Sequence, residues 1–98
     1  MLQKRIQIRA EWWLKMLRDR RCCVPGCMEE HSEVHHLCKM RWRDDYGVNM
    51  CKGHHTFFKD SIHVLGDVEF MQAHGFNIFE YWLKVLIPEY EAIARARV

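Results

Sequence analysis

The sequence has no apolar run as long as the roughly 18 residues that a membrane-spanning helix needs. It has only two prolines and five glycines, which excludes a scaffold built mainly of loops. Residues 1–9 carry charge but lack the apolar segment and the small-residue cleavage site of a secretory signal. From these absences we expect no membrane partner and a reducing, cytoplasmic location.

The composition is that of an ordinary globular chain, with 49% hydrophobic and 29% charged residues. A chain of 98 residues is expected to form one domain, residues 1–98, with a small core. Small cores are often supplemented by a disulfide or a metal. Five cysteines are an odd number, and in a reducing compartment cysteine and histidine at short spacings favour metal ligation.

Positive charge is concentrated in the first part of the chain. Residues 1–43 carry a net charge of +5, whereas residues 44–98 carry −3. Clustered cations beside a metal site could attract a polyanion such as nucleic acid, and a solvated surface explains the same pattern equally well. The candidate nucleic-acid-binding residues are Arg20, Arg21, Lys39, Arg41 and Arg43.

Hydrophobic periodicity and turn signals predict an α+β chain with a Cys/His core between helical ends. The three predicted regions are an N-terminal helix over 1–20, a core over 21–63 and C-terminal helices over 64–98. The expected segments after the first helix are strands at 33–37 and 46–50 and helices at 53–59, 67–74, 78–87 and 89–97. A break is expected at Pro88, and alternation over residues 5–9 favours a strand, so the start of the first helix stays open.

Soft metal ligands occur in two short-range pairs. One pair, Cys22 or Cys23 with Cys27, flanks a Pro-Gly turn, and the other is Cys51 with His54. Four such ligands can form the tetrahedron of a structural zinc site, which contributes on the order of ten kcal/mol to folding. The alternative is that the cysteines are buried free thiols, which pack as small hydrophobic side chains.

Three further imidazoles, those of His35, His36 and His55, lie on the segments that these pairs would join. A structural zinc ion does not need them. Adjacent side chains on a strand point to opposite faces, so one of His35 and His36 could hold a metal while the other faces elsewhere. His63 is expected in an exposed loop, with contact to a phosphate or a metal as the alternative, and Cys38 is expected in the core.

The pattern Cys22 … Cys27 … Glu33-x-His35-His36 … Asn49 … Cys51-x2-His54-His55 resembles the HNH, or ββα-metal, nuclease motif in its zinc-containing form. The resemblance covers roughly residues 22–76 and is most specific in the segments EVHHL and CKGHH. The segments EVHHL, CKGHH and SIH also resemble those of small phage and prophage HNH proteins. The resemblance implies a zinc-clamped ββα-metal core with an N-terminal helix and C-terminal helices, in the cytoplasm of a bacterium or a phage-infected host.

The resemblance also implies a role for each residue of the motif. His36 would be the general base that activates water, while His35 and His55 would hold the catalytic ion, Mg²⁺ or another divalent metal. A neutral imidazole suits the first task and a divalent cation neutralises charge at phosphorus. The implied structural zinc ligands are Cys22, Cys27, Cys51 and His54, with Cys22 preferred over Cys23.

Two features depart from the motif. Its middle asparagine normally stands further ahead of the second ligand pair, where this chain has Tyr46 beside Asp45. Either Asn49 or Asp45 could therefore supply the supporting contact, with His63 as further support. The four residues between Cys22 and Cys27 also make the first ligand pair longer than usual.

The implied function is a metal-dependent endonuclease or nickase that hydrolyses DNA, and we expect this DNA to be double-stranded. The C-terminal helices are a candidate homodimer face. The alternative is a catalytically inactive zinc-binding module of the same fold that binds nucleic acid or protein. The two differ at His36 and His55, which only the nuclease needs, and fold analogy does not decide between them.

Overall fold

The computed structural model describes residues 6–97, which form an α+β fold with a two-stranded antiparallel sheet. The predicted fold class is confirmed at this level. The elements are α1 (Glu11–Arg18), β1 (Glu33–His36), β2 (Gly47–Met50), the π-helical turn α2 (Gly53–Phe57), α3 (Ile62–Leu65), α4 (Asp67–His74) and α5 (78–96). Among these residues no helix is both long and apolar enough to cross a membrane.

The sheet pairs β1 with β2 so that Glu33 lies opposite Met50 and His36 opposite Gly47. All four residues of β2 are buried, which explains why it lacks polar alternation. Side chains alternate along β1. Glu33 and His35 therefore share one face of the sheet, and His36 projects from the other.

The core is assembled from helices that pack around the sheet. α1 contributes Trp13 and Leu17, which are spaced four residues apart and fully buried. Other fully buried side chains come from β2 and from the helices α3, α4 and α5. They include Val48, Met50, Ile62, Phe70, Ile78 and Leu86. This core holds β1, β2 and α2 together in the region that carries the cysteines and histidines.

The N-terminal helix begins later than the sequence predicted. Residues 6–10 are not helical, Ile8 forms a parallel bridge with Arg43, and α1 starts only at Glu11. The Asp44 carboxylate accepts a hydrogen bond from the Ala10 N–H at 2.7 Å, which holds the chain in place just before the helix. The prediction of a helix over 1–20 is therefore wrong for residues 6–10, where strand-like alternation was the better signal; residues 1–5 lie outside the described part of the chain.

The C-terminal segment is one continuous helix rather than two. α5 consists of Ile78–Tyr81, a π-helical turn Trp82–Leu86 and Ile87–Ala96 in direct succession. Pro88 is the second residue of the last part. A proline ring disrupts an ordinary α-helical turn before it, and the wider π turn relieves that conflict. The predicted break at Pro88 is wrong for this reason.

The helix boundaries around α4 agree with the turn signals. Gly75 follows α4 in a left-handed conformation with φ of 59°, which ends the helix where the sequence predicted its end at residue 74. Asn77 caps α5 by accepting a hydrogen bond from the Glu80 N–H at 3.0 Å. Asp67 is the first residue of α4, and its side chain reaches across to β1.

Candidate functional site

The first ligand pair lies on a tight turn. Val24 and Cys27 are joined by a hydrogen bond from the Cys27 N–H to the Val24 carbonyl at 3.1 Å, with Pro25 and Gly26 between them. Gly26 has φ of 84°, as the third position of a type II turn requires. The Cys23 N–H donates to the Asn49 carbonyl, so the turn is attached to β2.

Four soft ligand atoms converge beside this turn. The ligand atoms of Cys22, Cys27, Cys51 and His54 all lie within 4.8 Å of one another. Cys27 Sγ lies 3.8 Å from Cys51 Sγ, and His54 Nδ1 lies 3.2 Å from Cys51 Sγ and 3.7 Å from Cys22 Sγ. Zinc–sulfur bonds of about 2.3 Å at the tetrahedral angle put two sulfurs about 3.8 Å apart. The cluster can hold a metal ion, and its geometry is compatible with zinc.

Cys23 lies outside this cluster although it is the neighbour of Cys22. Its thiol hydrogen-bonds to the Cys22 sulfur, which lowers the pKa of Cys22 to about 4. The same contact raises the pKa of Cys23, and burial of the Cys23 thiol adds to that rise. Of the two cysteines that the sequence left open, Cys22 is the one that joins the four-ligand group.

Cys38 is exposed and not in the core, so that expectation is wrong. It lies in a short turn after β1 and has φ of 55°, and Lys39 after it has φ of 57°. Both are left-handed conformations that side-chain-bearing residues seldom adopt. The Cys38 N–H donates to Asp67 Oδ2 at 3.1 Å, so α4 holds the turn from the other side.

A second group of ligands is formed by His35, His55 and His63, whose ligand atoms also lie within 4.8 Å of one another. The ring centres of His35 and His55 are 5.4 Å apart, and that of His63 lies 4.5 Å from His55. His35 comes from β1, His55 from α2 and His63 from α3. His63 is exposed as expected, but it lies on a helix and not in a loop.

Two carboxylates, which the sequence interpretation missed, contact this group. Glu33 Oε1 lies 2.9 Å from His55 Nδ1, and Asp67 Oδ1 lies 3.0 Å from His35 Nε2. Carboxylates behind imidazoles orient the rings and strengthen them as metal ligands. Strand alternation places Glu33 on the face of His35 and could have identified it, whereas no local signal connects Asp67 to β1.

The protonation of this group follows from these contacts. The hydrogen bond to His35 lowers the pKa of Asp67, which keeps its carboxylate ionised. Burial lowers the pKa of His63, and the neighbouring His55 and His35 lower it further. A neutral imidazole with a free nitrogen is the form that binds a metal.

The chemistry of the donor set bears on which ion fits it. Imidazole nitrogens suit Zn²⁺ or Ni²⁺, whereas Mg²⁺ prefers oxygen ligands. Three imidazoles with carboxylates behind two of them therefore fit a divalent transition metal. Mg²⁺, which was expected first from the sequence, fits this set poorly.

His36 projects from the opposite face of β1, away from this three-histidine group. Its Nε2 atom is buried without a hydrogen-bond partner among the described residues and lies 3.6 Å from Asp44 Oδ1. Burial lowers the pKa of His36, and Asp44 partly opposes that effect. Asp44 was not among the candidate residues, because a buried carboxylate in a charged loop has no sequence signature.

A pocket of about 1000 Å³ is lined both by the three-histidine group and by His36. The residues lining it include His35, His36, His55, His63, Lys39 and Arg41. Of the five candidate nucleic-acid-binding residues, Lys39 and Arg41 therefore reach the pocket, and both are exposed.

The other three cations are located differently. Arg43 forms two hydrogen bonds to the Asp45 carboxylate, at 2.9 and 2.7 Å, and its guanidinium lies over the Tyr46 ring. Arg20 is ion-paired with Glu89 on α5. Arg21 is exposed, and its carbonyl accepts a hydrogen bond from Asn49.

Asn49 and Asp45, the two candidates for a supporting contact, both link loops to α5. Asn49 is buried, donates from Nδ2 to the Arg21 carbonyl at 2.8 Å and accepts from the Tyr81 hydroxyl at 2.9 Å. The Asp45 carbonyl accepts from Trp82 Nε1 at 2.8 Å. Asn49 ties the cysteine turn to β2 and α5, whereas the Asp45 carboxylate is occupied by Arg43.

Comparison of this chain with protein-family models, with curated proteins and with solved structures finds no match. The chemistry of the two ligand groups and the pocket is therefore what supports a function for this chain.

Proposed function

We propose that this chain is a metal-dependent endonuclease or nickase of the HNH type that hydrolyses DNA phosphodiester bonds. The observation that carries the proposal is the closeness of the His35 and His55 rings, 5.4 Å apart, in a pocket that His36 also lines. β1, β2 and α2 follow one another along the chain, and the four-ligand cluster lies where the cysteine turn meets the end of β2 and α2. This arrangement supports a ββα-metal core. Structural zinc would be held by Cys22, Cys27, Cys51 and His54.

His36 is the proposed general base. Its Nε2 faces a buried carboxylate, so Nδ1 is the nitrogen that can take a proton from water. The water oxygen then forms a bond to phosphorus while the bond from phosphorus to the leaving oxygen breaks. Lys39 and Arg41 at the pocket edge supply positive charge that binds the phosphate backbone.

His35, His55 and His63 would hold the catalytic ion, with Glu33 and Asp67 orienting the first two rings. When bound, a divalent ion would neutralise charge on the phosphate and stabilise the leaving oxygen. Because the donors are imidazoles, Ni²⁺ or Zn²⁺ is the proposed ion and Mg²⁺ the weaker candidate. The proposal thus differs from the first expectation in the metal and in the added ligand.

Nicking of supercoiled plasmid tests the proposal. The purified protein is incubated with plasmid and, separately, Mg²⁺, Mn²⁺, Ni²⁺ or Zn²⁺, and compared with His36→Ala and with His31→Ala. His31 is an exposed histidine away from the pocket. We expect nicking by the wild type and His31→Ala, and a loss on the order of 10² to 10⁴-fold in His36→Ala.

Thermal unfolding and bound zinc measured on each variant show whether its fold is intact. Equal nicking by wild type and His36→Ala would contradict the role of His36. A folded, zinc-loaded wild type that binds DNA and nicks with none of the four ions would instead favour the inactive binding module.

A further inference from the structure

We propose that Asp44 is a positioning residue that holds His36 in the tautomer needed for its action as a base. The inference rests on the proposed function and deepens it, since it assigns a role to a carboxylate that the motif does not include. Its starting point is the buried contact between Asp44 Oδ1 and His36 Nε2.

The Asp44 carboxylate is rigidly placed. Only 3% of the residue is exposed, and its Oδ2 accepts a hydrogen bond from the Ala10 N–H at 2.7 Å. The Asp44 N–H donates to the Ile8 carbonyl at 2.8 Å. Arg9 lies 4.0 Å from Oδ1 with its side chain largely in solvent. The backbone of residues 8–10 therefore fixes the carboxylate, and Oδ1 is left facing His36.

Asp44 Oδ1 is a hydrogen-bond acceptor placed next to the unpaired Nε2 atom of His36. The nitrogen is buried and has no hydrogen-bond partner among the described residues, which is costly for a polar atom. At 3.6 Å the two atoms are slightly beyond hydrogen-bond distance, and a shift of a few tenths of an ångström would join them. A carboxylate accepts protons but has none to donate, so it favours the proton on Nε2.

This tautomer leaves the lone pair of His36 on Nδ1. When water attacks phosphorus, its proton passes to Nδ1, and the resulting imidazolium lies beside the Asp44 carboxylate. The bond from phosphorus to the leaving oxygen breaks, and that oxygen takes a proton from solvent. Asp44 keeps its charge throughout, as an orienting carboxylate behind a catalytic imidazole does.

Asp44→Asn reverses the tautomer with little change in shape. The Ala10 N–H requires an acceptor, so the new amide places its oxygen there and turns its NH₂ group toward His36 Nε2. A donor at Nε2 requires that nitrogen to be unprotonated, which moves the proton to Nδ1 and removes the base. The control is Asp19→Asn, the same substitution at an exposed residue at the end of α1.

Steady-state nicking kinetics on wild type, Asp44→Asn, Asp19→Asn, His36→Ala and the double variant Asp44→Asn/His36→Ala test the inference. We expect kcat to fall on the order of 10² to 10⁴-fold in Asp44→Asn with KM unchanged, and no change in Asp19→Asn. The double variant should be no slower than His36→Ala, because Asp44 acts only through His36. A normal kcat in Asp44→Asn, or a kcat in the double variant below that of His36→Ala, would overturn the inference. Neither outcome would contradict the proposed endonuclease function. If His36→Ala also nicks normally, the proposed role of His36 as the base fails, whereas a folded wild type that nicks with none of the divalent ions contradicts the proposed function.

Nitrogen-15 NMR of the wild-type imidazoles supplies a measurement that needs no folded variant at position 44. The His36 signals are identified by their loss in His36→Ala. We expect a protonated Nε2 and an unprotonated Nδ1 in the neutral ring. The opposite tautomer in the wild type would contradict the proposed role of Asp44.

Discussion

Single residues around β1 are held in unusual conformations. Cys38 and Lys39 follow the strand with φ of 55° and 57°, and the turn they form brings Lys39 to the edge of the pocket. A left-handed conformation costs a side-chain-bearing residue about 1–2 kcal/mol. The hydrogen bond from the Cys38 N–H to Asp67 helps to hold the turn against that cost.

Cys38→Gly should therefore stabilise the protein by about 1 kcal/mol, because glycine adopts this conformation without a steric penalty. Urea unfolding of the zinc-loaded protein measures the difference in the free energy of unfolding. Cys38→Ala is the matched control, since it removes the thiol and keeps the strain, and it should give no gain. A gain of the same size in both variants would assign the effect to the thiol.

Secondary-structure elements meet closely at Gly47, where β2 begins. A Cβ atom on Gly47 would lie 2.8 Å from Val34 Cγ1 and 3.1 Å from both the Asp44 carbonyl oxygen and Leu17 Cδ1. α1, β1 and the loop before β2 therefore approach one another over this glycine. Since its own backbone is extended, the glycine is required here for space and not for its conformation.

Gly47→Ala should destabilise the fold by about 1–3 kcal/mol, as overpacking of a buried site does. Thermal and urea unfolding measure the loss. Adding Val34→Ala removes the nearest contact and should cost less in the Gly47→Ala background than alone. Additive losses from the two substitutions would show that no clash occurs between these residues.

α5 is connected to β2 through a buried hydrogen bond. The Tyr81 hydroxyl donates to Asn49 Oδ1 at 2.9 Å, and Asn49 in turn donates to the Arg21 carbonyl before the cysteine turn. Burial raises the pKa of Tyr81, so its hydroxyl stays protonated and able to donate. One side chain thus joins three segments that are distant in sequence.

Tyr81→Phe should cost about 1–3 kcal/mol, because it leaves a buried acceptor of Asn49 without its donor. Tyr90→Phe is the comparison, since it keeps the ring that stacks on Trp12 at 5.5 Å. The free energy of unfolding measured for both variants should fall only in Tyr81→Phe. Equal losses would mean that the hydroxyl of Tyr81 contributes nothing specific.

We expect the stability of the whole molecule to depend on a metal at the four-ligand cluster of Cys22, Cys27, Cys51 and His54. The turn, the end of β2 and α2 converge there, while the buried core is small. A structural zinc ion contributes on the order of ten kcal/mol, which is comparable to the total stability of a domain. The metal-free chain should therefore not keep this fold.

Removal of zinc with a chelator should lower the melting temperature sharply or abolish the cooperative transition, as followed by circular dichroism. Cys22→Ser should likewise lose bound zinc, measured colorimetrically on the purified protein. Cys23→Ser is the matched control and should retain it, because Cys23 lies outside the cluster. Zinc loss in Cys23→Ser alone would reverse the assignment of the two neighbours.

Several features of the fold and the site were predictable from local patterns. Hydrophobic patterning and turn signals predicted β1, β2 and α4 close to their observed bounds. Short ligand spacings predicted that Cys51 and His54 would meet, since one turn brings both to the same side. The helix start at Glu11 and the unbroken α5 were missed, because a hydrogen bond from Ala10 to Asp44 and a π turn before Pro88 override local preference.

The order of amino acids alone establishes which cysteine and histidine side chains could serve as metal ligands, how they are paired along the chain and which short segments carry them. Packing of distant segments decides which carboxylate stands behind which imidazole: Glu33 behind His55, Asp67 behind His35 and Asp44 behind His36. Periodicity reports only neighbours within a turn or a strand, whereas His35 and Asp67 are 32 positions apart. Such pairs meet only when the core closes, and the orientation of each ring is set at that stage.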